Sequence, residues 1–185
     1  MNHPPDDSRR RFEEIYEAHY AAIAQYALRR THSSDDAVDV VSETFLTAWR
    51  RLSDVPPEGE TRLWLYGVAR RVLANFHRGA ARRELLAARL RASFERVVVD
   101  RPNDREEVRA AFARLSPDDR ELLSLTGWEG LSPTEIATVL GCSRGAVRVR
   151  LHRARRRLAR ELADEGVDVD RFGARAAELA EGVVR

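Results

Sequence analysis

Apolar positions along this chain recur at spacings of three and four, seldom two, and the elements this pattern predicts are almost all helices. Residues 12–30 carry Phe12, Ile15, Tyr16, Ile23, Tyr26 and Ala27 at that spacing, the signature of an amphipathic helix. The stretch THSSDDAVDVVSETFLTAWRRL predicts a second helix, capped by Ser34, with acids in its first turn where the helix dipole favours them. Its expected buried stripe is Val38, Val41, Phe45 and Trp49. SDVPPEGET reads as a loop of turn formers. The segment RLWLYGVARRVLANFHRGAARRELLAARL resumes a helix, with a break expected near Gly79.

Between residues 92 and 107 the periodicity fails. FERVVVDRPNDREE holds a short apolar run followed by proline, asparagine and acids, and reads as a linker; the valines at 97–99 have no neighbouring strand to pair with. Four shorter helical segments follow. The first covers residues 108–115, and Ser116-Pro117 caps and starts the second. Ser132-Pro133-Thr134-Glu135 starts the third with a capping box. Gly141 ends that helix, Ser143 caps the last, and the tail beyond Glu161 has room for one more short helix. The expected fold is all-α: two small helical domains, residues 8–91 and 108–163, joined by a linker at 92–107, with a short tail at 164–185.

Composition sharpens the picture in one respect. At 43% hydrophobic and 34% charged, a chain of 185 residues can build cores and remain soluble. Its longest apolar runs are far short of a membrane span, and its first residues lack the apolar stretch of a secretory signal, so no membrane insertion is expected. One cysteine excludes an internal disulfide and suits a reducing cytoplasm. The net charge of +2 hides an uneven distribution. All 32 basic residues are arginine, and residues 141–160 hold eight of them with no carboxylate. Acids gather at Asp35, Asp36, Asp39 and Glu43, and again over residues 100–107. A GC-rich coding sequence would explain arginine in place of lysine, but not the clustering.

A helix of about eight residues, a turn at GCS and a longer second helix form the layout of a helix-turn-helix. Val147, Leu151, Ala154 and Leu158 keep to one face of the second helix, and Ile136, Ala137 and Leu140 of the first would bury against them. Arg144, Arg148, Val149, His152, Arg153 and Arg155 are left outward. Arginine bonds phosphates and makes bidentate contacts to guanine. The bland alternative is a helix with arginines for solubility, but solvated faces mix signs, as RELLAARLR does, so the pattern favours DNA. Cys142 reads as a small buried side chain; with His152 it makes too few ligands for a metal, and no metal or cofactor is expected. A nucleic-acid enzyme would need a metal cluster or an acid–base pair in a pocket, and the five histidines are scattered.

Three signatures in order, DDAVDVVSETFLTAWR, LWLYGVAR and LSPDDRELLSLTGWEGLSPTEIATVLGCSRGAVRVRLHRARRRL, make the chain resemble a bacterial RNA polymerase sigma factor of the sigma-70 family, extracytoplasmic-function group, from about residue 12 to 162. The resemblance implies a non-catalytic, dissociable specificity subunit acting in the cytoplasm at a small set of promoters. It also implies its partners: core RNA polymerase, through the largest-subunit clamp helices and the flap region, and promoter DNA. An anti-sigma factor, commonly encoded near such proteins, is a further candidate. A stand-alone DNA-binding regulator is the competing reading; it would keep the basic helix without needing an acidic docking face.

Residue by residue, the resemblance assigns Asp36, Asp39, Val40 and Glu43 to docking on the clamp helices. It assigns Arg70, Arg71, Asn75, Arg78, Arg82 and Arg83 to recognition and melting of the minus-ten element, where a flipped base is held in a pocket beside the SDVPPEGET loop. Leu63 precedes Trp64, so the adjacent aromatics that housekeeping relatives wedge into the duplex are missing, and Trp64 is expected in the core with Trp49 and Phe45. Arg71 stands where the family usually has asparagine. For the minus-thirty-five element, Arg148, Val149, His152 and Arg153 match base-contacting positions, and Arg144 and Arg155 match phosphate contacts. The linker of about 16 residues could extend roughly 50 Å, more than a duplex turn of about 34 Å, so the modules can engage separate promoter elements. Its acids match those that, in the family, mimic RNA charge.

Overall fold

The computed structural model describes residues 6–90 and 104–164 except His32 and Glu58; for Asp6, residues 79–90 and residues 104–107 it describes the backbone alone. The chain divides into two compact units, residues 1–95 and most of residues 96–185. Every regular element among the described residues is helical, as expected. The valines at 97–99 and the tail beyond residue 164 lie outside the described residues.

The first unit contains α1 (Asp6–Leu28), α2 (Ser34–Arg50), a single 3₁₀ turn (Leu52–Asp54) and α3 (Thr61–Leu90). Its core joins Ile23, Tyr26 and Ala27 of α1 with Val40, Val41, Phe45 and Ala48 of α2 and Leu65, Tyr66, Ala69 and Leu73 of α3. The Tyr26 and Tyr66 rings, 5.1 Å apart, join α1 to α3. Phe12 packs edge-on to Trp49 at 5.1 Å, closing the α1–α2 seam. The fully buried Thr44 hydroxyl donates to the Val40 carbonyl at 2.7 Å, so its burial leaves it satisfied. The loop before α3 is tied at both sides: Arg11 Nη2 donates to the Val55 carbonyl at 2.7 Å, and Thr61 Oγ1 to that of Pro56 at 2.9 Å.

Four expectations about this unit are corrected. The cap of α2 is Ser33, not Ser34: Ser33 Oγ accepts from the Asp36 amide at 3.1 Å, and Ser34 is already helical. The buried stripe is shifted, because Val38 is 59% exposed whereas Val40 is 1% exposed. Trp49 and Trp64 are half-buried at the core's margin, where Phe45 is fully within it. Finally, α3 runs unbroken through Gly79. One glycine costs a helix only about 1 kcal/mol relative to alanine, and the alanines, leucines and arginines around it are strong helix formers.

The second unit contains α4 (Asp104–Arg114), α5 (Pro117–Gly127), α6 (Pro133–Leu140) and α7 (Arg144–Asp164). α4 starts four residues earlier than expected, taking Asp104, Glu106 and Glu107 out of the linker and into a helical first turn, where the dipole favours acids. The remaining boundaries fall where their chemistry puts them. Ser116 Oγ accepts from the Asp119 amide at 3.2 Å with Pro117 next in line. Ser132 and Glu135 bond reciprocally, the Ser132 amide to Glu135 Oε2 at 2.8 Å and the Glu135 amide to Ser132 Oγ at 3.3 Å. Gly141 has φ +64°, and around it the Cys142 amide donates to the Ala137 carbonyl at 3.1 Å and the Gly141 amide to that of Thr138 at 3.3 Å. This is a Schellman closure. Ser143 Oγ then accepts from the Ala146 amide at 3.2 Å and opens α7. The core holds Ala111, Leu122, Leu125, Ile136, Val147, Leu151, Ala154 and Leu162.

The turn generates a paired prediction. No atom lies within 4 Å of a Cβ built on Gly141, so Gly141→Ala should cost only the left-handed backbone strain, about 1–2 kcal/mol of unfolding free energy. Gly145→Ala, in a helical conformation where an added Cβ would meet only Ser143 Oγ at 4.0 Å, should instead be stabilising by about 0.4–1 kcal/mol. Urea denaturation of both variants checks the opposite signs.

Candidate nucleic-acid interface

α7 can present arginines because its apolar residues all lie on the other side. Val147, Leu151 and Ala154 are buried and Leu158 packs beside the Ala111–Leu162 cluster, so the expected core face is the observed one. Arg144, Arg148, Val149, His152, Arg153 and Arg155 are all exposed, as the sequence pattern required. Arg150 and Arg156 are exposed as well and belong to the same charged surface. Arg156, seven residues after Val149 and three after Arg153, shares their face; the arginine count held the signal, but the family pattern did not include it.

The eight arginines do not form one class. Arg157 Nη1 donates to Asp119 Oδ2 at 2.6 Å, and that carboxylate is 7% exposed at the start of α5. One turn further, Glu161 Oε2 accepts from Arg114 Nε of α4 at 2.8 Å. The end of α7 is therefore clamped to two neighbouring helices by ion pairs that reach back 38 and 47 residues. Among the described residues, no carboxylate pairs with Arg144, Arg148, Arg150, Arg153, Arg155 or Arg156. Charge left without a partner over the first part of the helix is available for an external polyanion.

In the first unit, α2 and α3 enclose an open groove of about 550 Å³. Asp39, Glu43 and Leu46 line the α2 side, and Arg71, Asn75 and Phe76 the α3 side, over a floor that includes Val40 and Val68. Asp39 and Glu43, two residues of the expected docking face, are exposed. Asp36 is half-buried beside the Ser33 cap. Val40 is 1% exposed and belongs to the core, reaching the groove only at its floor, so the expected docking face has Asp39 and Glu43 outermost. Leu46, 45% exposed, occupies the outer surface instead, and the sequence reading missed it because its apolar neighbours were taken as a single stripe. Glu43 Oε1 accepts from Arg50 Nη1 at 3.4 Å, an exposed pair of small energetic weight.

On α3, Arg71, Asn75 and Arg78 are exposed and Arg70 is half-buried. Their spacings of four and three put Arg71, Asn75 and Arg78 along one face. Arg78 Nη2 donates to Asn75 Oδ1, so it is engaged within the protein rather than free. Arg82 and Arg83 continue the helix, and their side chains lie outside the described residues.

Against known families, residues 15–83 match Sigma-70 region 2 and residues 105–158 match Sigma-70, region 4. The ECF RNA polymerase sigma factor SigL of Mycobacterium tuberculosis is 35% identical over 161 residues, covering 83% of this chain and 89% of its own. The chain belongs to the extracytoplasmic-function sigma factors. Two solved relatives share the architecture of this sigma factor. CnrH, in complex with the cytosolic domain of CnrY, is 30% identical with a TM-score of 0.61 and covers 84% of this chain and 90% of its own. The sigma factor RpoE of Bartonella quintana, in complex with the anti-sigma factor NepR, is 25% identical with a TM-score of 0.60 and covers 82% and 96%.

The division of the arginines is measurable. Arg157→Ala and Asp119→Ala should each lower unfolding free energy by about 1.5–3 kcal/mol, and the double variant should lose clearly less than their sum. Arg157→Ala should leave the salt dependence of DNA binding unchanged, whereas Arg155→Ala should flatten its slope by about 1. Denaturation curves and a salt titration of promoter-DNA binding give the two readouts.

Proposed function

We propose that this sigma factor binds core RNA polymerase through α2, holds the opened minus-ten element on α3 and reads the minus-thirty-five element with the first part of α7. The observation that carries the proposal is the exposed face of α7, six arginines with no carboxylate partner among the described residues, on a helix-turn-helix whose turn is closed by Gly141 and Ser143. Such a face is suited to DNA and to little else. Arg148, Val149, His152 and Arg153 meet base edges; Arg144 and Arg155 meet phosphates. The first domain, residues 8–91, carries docking and melting, and residues 108–163 carry upstream recognition, each as a non-catalytic module.

Docking falls to Asp39 and Glu43, with Leu46 as the apolar contact between them and the groove. The partner is the clamp of the largest polymerase subunit, with the flap region meeting the second domain. A stand-alone regulator would gain nothing from an exposed acidic and apolar face on α2, which favours the sigma-factor mode of action. The protein acts in the cytoplasm with polymerase and promoter; among the described residues no helix is long and apolar enough to cross a membrane. Likeness to RpoE supports an anti-sigma factor as its regulator.

Run-off transcription with core polymerase on genomic fragments should yield transcripts dependent on this chain, and their start sites should define its promoter. Asp39→Arg with Glu43→Arg should abolish pull-down of core polymerase while circular dichroism stays unchanged. Val40→Ala should instead lower stability by about 1–3 kcal/mol and leave docking of the folded protein intact. On a promoter library, Arg148→Ala should cost about 1–3 kcal/mol at one or two upstream base pairs and relax preference there.

A further inference from the structure

Asn75 lines the α2–α3 groove beside Arg71 and Phe76, and Arg78 lies just outside it. Arg78 Nη2 donates to Asn75 Oδ1. A carboxamide offers one acceptor oxygen and an NH₂ with two donors, and by turning over it can present either end to a ligand. A guanidinium has donors only. Bonded to Arg78, the amide must keep its oxygen toward that residue and point its NH₂ elsewhere. Arg71, beside it on the same wall, also has donors only. The other side-chain acceptors lining the groove, the Asp39 and Glu43 carboxylates and the Ser42 and Thr47 hydroxyls, are on the α2 wall. The α3 wall therefore offers donors alone.

We propose that Arg78 is a positioning residue that locks Asn75 as a hydrogen-bond donor, so that the α3 wall selects a nucleobase whose exposed edge carries acceptors. Guanine, with O6 and N7, and thymine, with O4, fit this wall. On that same edge adenine and cytosine carry an amino group in place of the carbonyl, so part of the edge would face donor against donor. The inference rests on the reading that Arg71 and Asn75 meet the unpaired strand of the minus-ten element, and it changes the role of Arg78 within that reading. A phosphate contact by Arg78 would strengthen binding to every sequence alike. Orientation of Asn75 makes the effect of Arg78 depend on the base.

Holoenzyme assembled from the full chain and core polymerase would be titrated with fork-junction DNAs carrying each of the four bases at each single-stranded minus-ten position. Wild type should prefer guanine or thymine at one position. Arg78→Ala should narrow that preference roughly five- to tenfold, the discrimination of about one hydrogen bond. Arg78→Lys, which keeps a donor, should restore most of it. Asn75→Ala should remove the preference, and adding Arg78→Ala to Asn75→Ala should change it no further. Equal weakening on all four bases, in both backgrounds, would overturn the proposal and leave Arg78 a phosphate contact. So would a wild-type preference for adenine or cytosine at the position that depends on Asn75. A wild type with no base preference at any of these positions would remove the strand-binding reading itself, and the role of Arg78 with it.

Discussion

A helix with eight arginines in residues 144–160 repels itself, and the second unit is organised around holding it in place. Three pairs lie four apart (144 and 148, 153 and 157, 156 and 160), and three more lie three apart (150 and 153, 153 and 156, 157 and 160). Like charges at these spacings destabilise a helix by about 0.2–0.5 kcal/mol per pair, so the set costs on the order of 1–3 kcal/mol. Arg144 adds to this by sitting at the positive end of the helix dipole. Two supports oppose the repulsion. The buried ridge of Val147, Leu151, Ala154 and Leu162 contributes about 1.5–3 kcal/mol for each large side chain. Asp119 and Arg114 clamp the far end through Arg157 and Glu161. The clamp is at the end of α7, so the beginning can remain unpaired without loosening the helix.

The same division between an anchored side and a free one governs α2, where neighbouring residues differ completely in burial. Successive residues are about 100° apart around a helix. Val40 lies in the core while Asp39, next to it, is exposed on the groove. An acid on the core side would be buried without a partner and a valine on the groove side would offer nothing to a cation, so the two requirements fix both residue types. The resemblance to known sigma factors assigned both residues to docking because both fall in the matching stretch. Burial separates them: Val40 lies in the core beneath the surface that Asp39 occupies.

The second unit was the more legible in the sequence because each of its boundaries has its own chemical marker. Ser116-Pro117, the Ser132–Glu135 pair, Gly141 and Ser143 each satisfy a specific unpaired backbone group or a left-handed conformation, with few alternatives. In α2 the hydropathy pattern supports two overlapping stripes, one through Val38, Val41 and Phe45 and the other through Val40, Val41 and Thr44. Only the positions of α1 and α3 decide between them. Ser33 and Ser34 are likewise both competent caps one residue apart. The acids at 104–107 resemble a linker in composition and a helix start in electrostatics, and the latter prevailed. The partners of Arg157 and Glu161 were not legible, because pairing across 38 and 47 residues leaves no local trace.

The count of arginines therefore overstates the charge available to DNA. Of eight, Arg157 is committed to Asp119, and Arg160 Nε turns back to the Arg156 carbonyl at 3.4 Å. Six remain, but they encircle much of the helix. Val149, His152, Arg153 and Arg156 share the face opposite the core, with Arg148 and Arg155 on one flank and Arg150 on the other. A helix lying in a major groove about 12 Å wide has its outer face against the bases and its flanks against the two backbones. Arg148 and Arg155, seven residues apart and about 10 Å along the axis, share one flank, and Arg150 takes the other. Val149, His152, Arg153 and Arg156 fill the exposed face between those flanks, so a partner lying along this face meets one apolar side chain set among cations and an imidazole.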